Sequence, residues 1–303
     1  MRAAVKKLNR KLGDGLQSGA FLAPSLLGVL AFFFIPFVVV IYYAMIDNPI
    51  AGNFVFLRNF QRVWGNLAFQ TASRNTALFT AVSVPLAVTL SLGLAFLLEQ
   101  RIPLKSQLRT FFLSPMMVPV ASIVLIWQVL FHQNGAVNEL ILSVGTATGW
   151  FGDAGTVDWF SSSLAPVPII LLFLWRNLGY NMILFMAALA NIPHDLVEVA
   201  QLEGASSRYI FRSVKMRFLS PTIVFVTILS IINSFKIFRE VYLLAGSHPY
   251  EALYTLQHYM NNMFDHLDYQ SLAAAALIMS LIIIAIIGII FIAENRYGRD
   301  VEG

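Results

Sequence analysis

Six long apolar runs constrain this chain more than any other feature. They extend from Phe21 to Ile46, Asn75 to Leu98, Thr110 to Phe131, Leu164 to Ala190, Phe218 to Ala245 and Ser271 to Ala293. A helix crossing the roughly 30 Å hydrocarbon layer needs about 20 predominantly apolar residues, and each run supplies that length. A backbone in lipid must also satisfy its own polar groups, so apolar runs of this length read as helices. The expected fold is an all-α integral membrane protein with six transmembrane helices. Only 12% of residues are charged and 58% are hydrophobic, against about a quarter charged in an ordinary soluble domain. The expected layout is a segment 1–20, a six-span domain 21–293 and a tail 294–303.

The first run follows basic residues, as a cleaved signal peptide would. It is too long for one, and it ends in Tyr42, Tyr43 and Asp47 rather than in small residues, so it reads as a retained span. Lys and Arg placement then sets the orientation. Arg2, Lys6, Lys7, Arg10 and Lys11 precede span one, and Arg101, Lys105 and Arg109 lie between spans two and three. Arg208, Arg212, Lys215 and Arg217 separate spans four and five, and Arg296 and Arg299 follow span six. The opposite side holds Arg58, Arg62 and Arg74. The positive-inside rule puts both termini in the cytoplasm of a cell whose plasma membrane the chain crosses. The outer segments are 47–74, 132–163 and 246–270.

Several chemistries find no support. There is no cysteine, which excludes disulfides, thiolate metal sites and a cysteine nucleophile. His132, His194, His248, His258 and His266 fall in no HExxH pattern, so no metal site is expected, and no Walker-type phosphate loop occurs. The pI near 9.4 comes from basic loops between apolar runs, which points to membrane orientation and not to nucleic acid. No internal repeat is visible, which speaks mildly against a symporter built of inverted halves.

The loop between spans four and five is the most informative stretch. It reads Asn191-Ile192-Pro193-His194-Asp195-Leu196-Val197-Glu198-Val199-Ala200-Gln201-Leu202-Glu203-Gly204-Ala205, with Pro221 further on. Pro193 is suited to begin a short helix, and Leu196, Val199, Ala200 and Leu202 give it a modest apolar face. Gly204 is placed to end it by a left-handed turn, and Ser206 or Ser207 to cap the helix that follows. A compact helix–turn–helix is expected.

This pattern resembles the EAA loop of ABC importer permeases. Glu198, Ala200, Gly204, Ala205 and Pro221 match, while Val199 replaces the usual first alanine and Arg217 stands where the sugar branch often has proline. Arg109 to Pro115, Pro119, Ile126-Trp127, Leu130-Phe131, Gly135 and Asn138 are similar to a stretch of the maltose and glycerol-phosphate type permeases, as are Phe235 and Glu240 to Leu244. The resemblance covers roughly residues 20 to 295. It implies a permease subunit that moves a sugar or polyol by alternating access, with an EAA-type coupling helix–turn–helix over 191–221. It further implies that Glu198 and the Gly204 turn dock a separate ATPase. The partners it implies are a second permease, two copies of the ABC ATPase, an extracytoplasmic solute-binding protein and membrane lipid. No cofactor is expected on this chain, with ATP and Mg held by the ATPase subunits. The rival readings are an ion-coupled secondary transporter and an ABC permease for a non-sugar solute.

Polar groups within spans are costly and often functional. Span four carries Trp175, Arg176, Asn177, Gly179, Tyr180 and Asn181; span five carries Asn233, Lys236, Arg239 and Glu240. Trp175, Tyr180, Asn181, Asn233, Lys236 and Glu240 are the substrate-pathway candidates: a sugar needs hydrogen-bonding amides and a flat aromatic face for its C–H surface, which Trp175, Tyr180, Asn181 and Asn233 supply. The resemblance places Gly179 and Tyr180 near the substrate site. Asn233, Lys236 and Glu240 share one helix face at i, i+3 and i+7. Glu240 can pair with Lys236 or with Arg176. Two alternatives stay open: Lys236 and Arg239 can snorkel to the outer surface, and the Asn and Gly residues can serve as interhelical contacts.

Overall fold

The computed structural model describes residue 19 and residues 21–100, 102–148 and 156–297. The basic residues at 2–11, Arg101 and Arg299 lie outside these, as do most of the expected segment 1–20 and residues 298–303 of the expected tail 294–303. Among the described residues the chain is helical, with one isolated antiparallel bridge between Ile46 and Phe54. It divides into two units, Met1–Trp64 with Met263–Ile278, and Gly65–Asn262 with Met279–Gly303.

In the first unit, α1 (Phe21–Met45) is a long apolar helix. Pro36 has no N–H to give to the ladder, and a π-helical stretch, Leu30–Phe34, adjusts the helix just before it. Ile46 takes an extended conformation and ends the helix. The last carbonyls are not left bare: Asn59 on α2 (Arg58–Trp64) donates from Nδ2 to the carbonyls of Ala44 at 3.0 Å and Ile46 at 2.8 Å. Tyr43 meets Tyr269 edge-on at 6.3 Å.

The second unit is built around α3 (Leu67–Glu99), α7 (Pro166–Ala190) and α9 (Met216–Phe235), all mutually packed, with α4 (Lys105–Met117) against α7. On α3 the buried positions Ala72, Thr76, Ser83, Ala87, Ser91 and Ala95 form a stripe of small side chains. Small residues let helix backbones approach closely where no hydrophobic effect drives them together. The hydroxyls of Thr76, Ser83 and Ser91 donate to carbonyls one turn back, so burial leaves none of them unpaired. Ile169, Leu172 and Phe173 of α7 fill the facing core with Ala87 and Ile123.

Among the described residues five helices are long and apolar enough to cross a membrane: Phe21–Met45, Leu67–Glu99, Pro166–Ala190, Ser207–Ala245 and Tyr269–Glu294. The expected straight third span is not found. Lys105–Met117 and α5 (Val120–Leu130) meet at 101°, and the count reaches six when this bent pair is taken as one span. The cause is local. Pro119 cannot donate to the ladder and forces Val118 out of the helical region, to φ −82°, ψ 132°.

After α5 come α6 (Ala136–Thr148), α7 and then α8 (His194–Leu202). One turn at Ser207–Tyr209 and a π-helical stretch, Ile210–Lys215, lead into α9. The fifth span reaches Ala245, as expected, with a local interruption of the α-helical ladder at Lys236–Ile237 before α10 (Phe238–Ala245). Next are α11 (Leu256–Asp265) and the final helix α12 (Tyr269–Tyr297). The strap before α11 is pinned to the start of α3. Asn75 donates to the carbonyls of Glu251 and Tyr254 at 2.6 and 3.0 Å, and the Leu256 amide donates to Thr76 Oγ1 at 3.0 Å.

Candidate functional site

Two features stand out in the second unit: a polar cavity between α7 and α9–α10, and the turn between α8 and α9.

The facing sides of α7 and α9 carry a polar ladder. Asn181 Nδ2 donates to Ser230 Oγ at 3.0 Å, and Asn233 Nδ2 donates to Asn177 Oδ1 at 3.0 Å. Arg176 then pairs with Glu240 Oε1, so of the two partners open to Glu240 in the sequence the structure selects the arginine. The two helices run in opposite directions, and the pairs therefore step along them in reverse order. Beside this ladder, Ser234 of α9 shares a hydrogen bond of 2.9 Å with Thr80 of α3. In lipid each such contact contributes on the order of 0.6 kcal/mol.

Beside this ladder lies a cavity of about 710 Å³. Tyr180, Asn233, Lys236 and Glu240 line it, as do Arg176, Asn177, Arg239 and Gln257. Asn233, Lys236 and Glu240, which share a helix face at i, i+3 and i+7, stay on one wall across the interruption at Lys236–Ile237. Lys236 and Arg239 line the cavity.

Two of the six pathway candidates do not line it. Trp175 stacks on Trp127, ring centroids 5.4 Å apart, and packs against the apolar core; Trp127 in turn donates to the Pro168 carbonyl at 3.0 Å. Asn181 is buried and holds Ser230. A tryptophan and an asparagine on a span read alike from sequence whether they face a cavity or a neighbouring helix. Arg176, Asn177 and Arg239 were visible as polar groups in spans four and five but not as a set. Gln257 lies in an outer segment, where a glutamine carries no signal. Gly179 has a packing role: a Cβ there would stand 1.9 Å from the Phe112 carbonyl oxygen of α4.

Phe238, on the cavity wall, meets the His258 ring edge-on at 4.6 Å. His258 is fully buried, and burial pushes its pKa down to about 4. Its Nδ1 lies 2.8 Å from Thr255 Oγ1.

The second feature is a helix–turn–helix. Pro193 is extended (φ −58°, ψ 125°), so α8 begins one residue later than the proline itself. Gly204 has φ +80°. The Gly204 amide donates to the Gln201 carbonyl at 3.0 Å, and the Ala205 amide to the Ala200 carbonyl at 2.9 Å. These two bonds form a complete Schellman turn, in which Ala200 and Ala205 are paired positions. Ser206 Oγ then caps the next turn, accepting from the Tyr209 amide at 3.3 Å. Helix α8 itself buries no residue, and it exposes Leu196, Val199 and Leu202 beside Glu198. At the end of the π-helical stretch, Lys215 Nζ contacts both carboxylate oxygens of Glu99 at 2.7 and 2.8 Å, and Phe211 stacks near Phe96 at 4.9 Å.

Residues 87–299 match the family described as binding-protein-dependent transport system inner membrane component. This chain belongs to that family. The permease is 34% identical over 190 residues to the lactose transport system permease protein LacF of Rhizobium radiobacter, a match covering 61% of this chain and 60% of that one. It is 27% identical to the probable starch degradation products transport system permease protein AmyD of Thermoanaerobacterium thermosulfurigenes, over 95% of this chain and 97% of that one. It is likewise 27% identical to the trehalose/maltose transport system permease protein MalF of Thermococcus litoralis, over 82% and 81%. In fold, the permease is similar to a chain of a bacterial ABC transporter that imports the acidic polysaccharide alginate. The TM-score is 0.80 at 17% identity, with 98% of this chain and 100% of that one covered.

Proposed function

We propose that this permease is the translocating subunit of an ATP-driven importer for a sugar or polyol, and that the α8–Gly204 turn is the element its ATPase grips. The observation that carries this reading is α8. A nine-residue helix with no buried side chain has no stability of its own, since isolated helices this short are marginal in water. It exposes three large apolar side chains next to Glu198, a surface suited to a helix-in-groove contact with a partner. The Schellman turn fixes its angle to the helix that follows. Lys215–Glu99 and Phe211–Phe96 tie that helix to the end of α3, so a displacement of α8 reaches the spans that wall the cavity.

The relatives named for lactose, starch products and trehalose/maltose support a saccharide as cargo. On this reading both termini and the α8 turn face the cytoplasm. An extracytoplasmic binding protein delivers the solute, a second permease completes the pathway, and two ATPase copies hydrolyse ATP with Mg. Closure of the ATPases moves the turn, and the α7–α9 ladder carries that motion to the cavity, which opens to one side of the membrane at a time.

The test is Glu198→Lys in the complete transporter. The variant is expected to insert and assemble but to lose substrate-stimulated ATP hydrolysis and uptake. Uptake at the wild-type rate would overturn the docking role.

A further inference from the structure

The charges around the cavity do not balance. Arg176, Lys236 and Arg239 face it with a single carboxylate, Glu240. Glu240 is already engaged, since Arg176 holds its Oε1. Among the described residues, Lys236 and Arg239 form no ion pair, and both are exposed at the cavity. A wall that holds two uncompensated cations, in a chain otherwise poor in charge, sets up a positive potential that concentrates anions.

A second observation comes from Glu240. It is only 5% exposed, and its Oε2 is buried with no hydrogen-bond partner. A buried carboxylate oxygen left bare is costly, and this one belongs to a residue on the cavity wall. Held on Arg176 and buried, this carboxylate forms no ion pair with Lys236 or Arg239 among the described residues. Arg176 fixes the carboxylate so that Oε2 is the oxygen left free.

We propose that this cavity takes a saccharide bearing an anionic group (a carboxylate, sulfonate or phosphate), with Lys236 and Arg239 receiving the anion. The inference rests on the sugar-importer reading and narrows it from sugars in general to acidic ones. The cavity volume of about 710 Å³ falls within the range of small-molecule sites. Neutral sugars would leave both cations unpaired on entry, a penalty that acidic ones avoid.

The experiment uses the assembled transporter in nanodiscs of phosphatidylcholine. Its melting temperature is followed against trigalacturonate and against galactotriose, its neutral counterpart, at matched ionic strength. Trigalacturonate is expected to stabilise the complex at concentrations at least tenfold lower than galactotriose. The Lys236→Gln/Arg239→Gln double variant should erase that preference while the response to galactotriose is retained. Equal response to the two trisaccharides, response to neither, or a preference that survives the double variant overturns the proposal. So does stabilisation by added phosphatidylglycerol that removes the trigalacturonate effect, since a lipid phosphate would then be the anion these cations hold. The Glu198→Lys measurement reads the importer assignment separately: loss of coupling with no charge preference sinks only the substrate class.

Discussion

Gly204 shows how one residue type can be required by backbone geometry alone. Its φ of +80° is a region that L side chains avoid, yet a Cβ there would meet nothing within 4 Å. Gly204→Ala is therefore expected to destabilise the turn by about 1–2 kcal/mol through the backbone and not through a clash. Gly204→Asn should be milder, since asparagine tolerates the left-handed region. Substrate-stimulated ATP hydrolysis by the reconstituted transporter should fall in the order wild type, Asn, Ala. Equal activity of all three would mean the turn angle does not matter. This residue was legible in the sequence because a short apolar helical pattern stops at it. His258 was not legible: a lone histidine in an outer segment carries no sign of burial. In the fold its pKa sits near 4 against an ordinary 6.5, lowered by desolvation. Above pH 6.5 it is neutral in both folded and unfolded chains and has no effect. As pH falls from 6.5 towards 4 the unfolded chain takes up the proton and the folded one does not. Stability is lost at up to about 1.4 kcal/mol per pH unit, about 3 kcal/mol in all. Melting temperatures of wild type and His258→Gln between pH 7 and 4.5 should diverge in slope, the wild type falling faster. Parallel curves would show that His258 is not the group responsible.

At the scale of the element, what the sequence makes visible and what it hides divide along a physical line. Apolar length is legible, so the long helices and the short helix α8 appear near their expected places. Breaks within apolar runs are much less so. Pro115 and Pro119 both lie in the expected third span, and only the second bends it; Pro85 on α3 and Pro221 on α9 sit inside continuous helices. In lipid-facing segments neighbouring groups can re-satisfy the carbonyls a proline frees, so whether a proline bends a span depends on packing that the sequence does not display. The cavity set was half legible for a similar reason. Polar residues on spans four and five announce themselves, but the packing of α7 against its neighbours decides which of them face the same space, and Trp175 and Asn181 face elsewhere. The close approach of α4 and α7 is a property of the same kind. Gly179 presses on the Phe112 carbonyl, where an added Cβ would sit at 1.9 Å from oxygen and 2.5 Å from carbon. Backbone cannot yield as a side chain can, so Gly179→Ala must push the two helices apart. The expected cost is at the upper end of the ~1–3 kcal/mol seen for overpacking. The purified complex should melt at markedly lower temperature, whereas Gly93→Ala, where no atom lies within 4 Å, should leave it unchanged. A Gly179→Ala complex as stable as wild type would mean that α4 is free to shift.

For the molecule as a whole, the proposed orientation across the membrane rests on charge, and it determines whether the α8 turn can meet an ATPase at all. Fourteen of the twenty Lys and Arg residues lie on the side assigned to the cytoplasm and three on the other. With each misplaced basic residue opposing insertion, that asymmetry leaves little room for the reverse topology. The chain contains no cysteine, so a single introduced thiol reports its own location without background. Leu202, 82% exposed on α8, and Ser161, exposed ahead of α7, are suitable places because neither side chain is packed. In sealed right-side-out membrane vesicles, Ser161→Cys should react with a membrane-impermeant maleimide and Leu202→Cys should not. After the vesicles are opened, both should react. Adding the ATPase subunits to the opened vesicles should then slow labelling at Leu202→Cys and leave Ser161→Cys untouched, because a groove that receives α8 covers the first position alone. If Leu202→Cys reacts from outside in sealed vesicles, the turn lies where no cytoplasmic ATPase can reach it. Energy coupling would then have to enter through another part of the chain. If it reacts only after opening but is never protected, the orientation stands and the surface exposed by Leu196, Val199 and Leu202 serves a different contact.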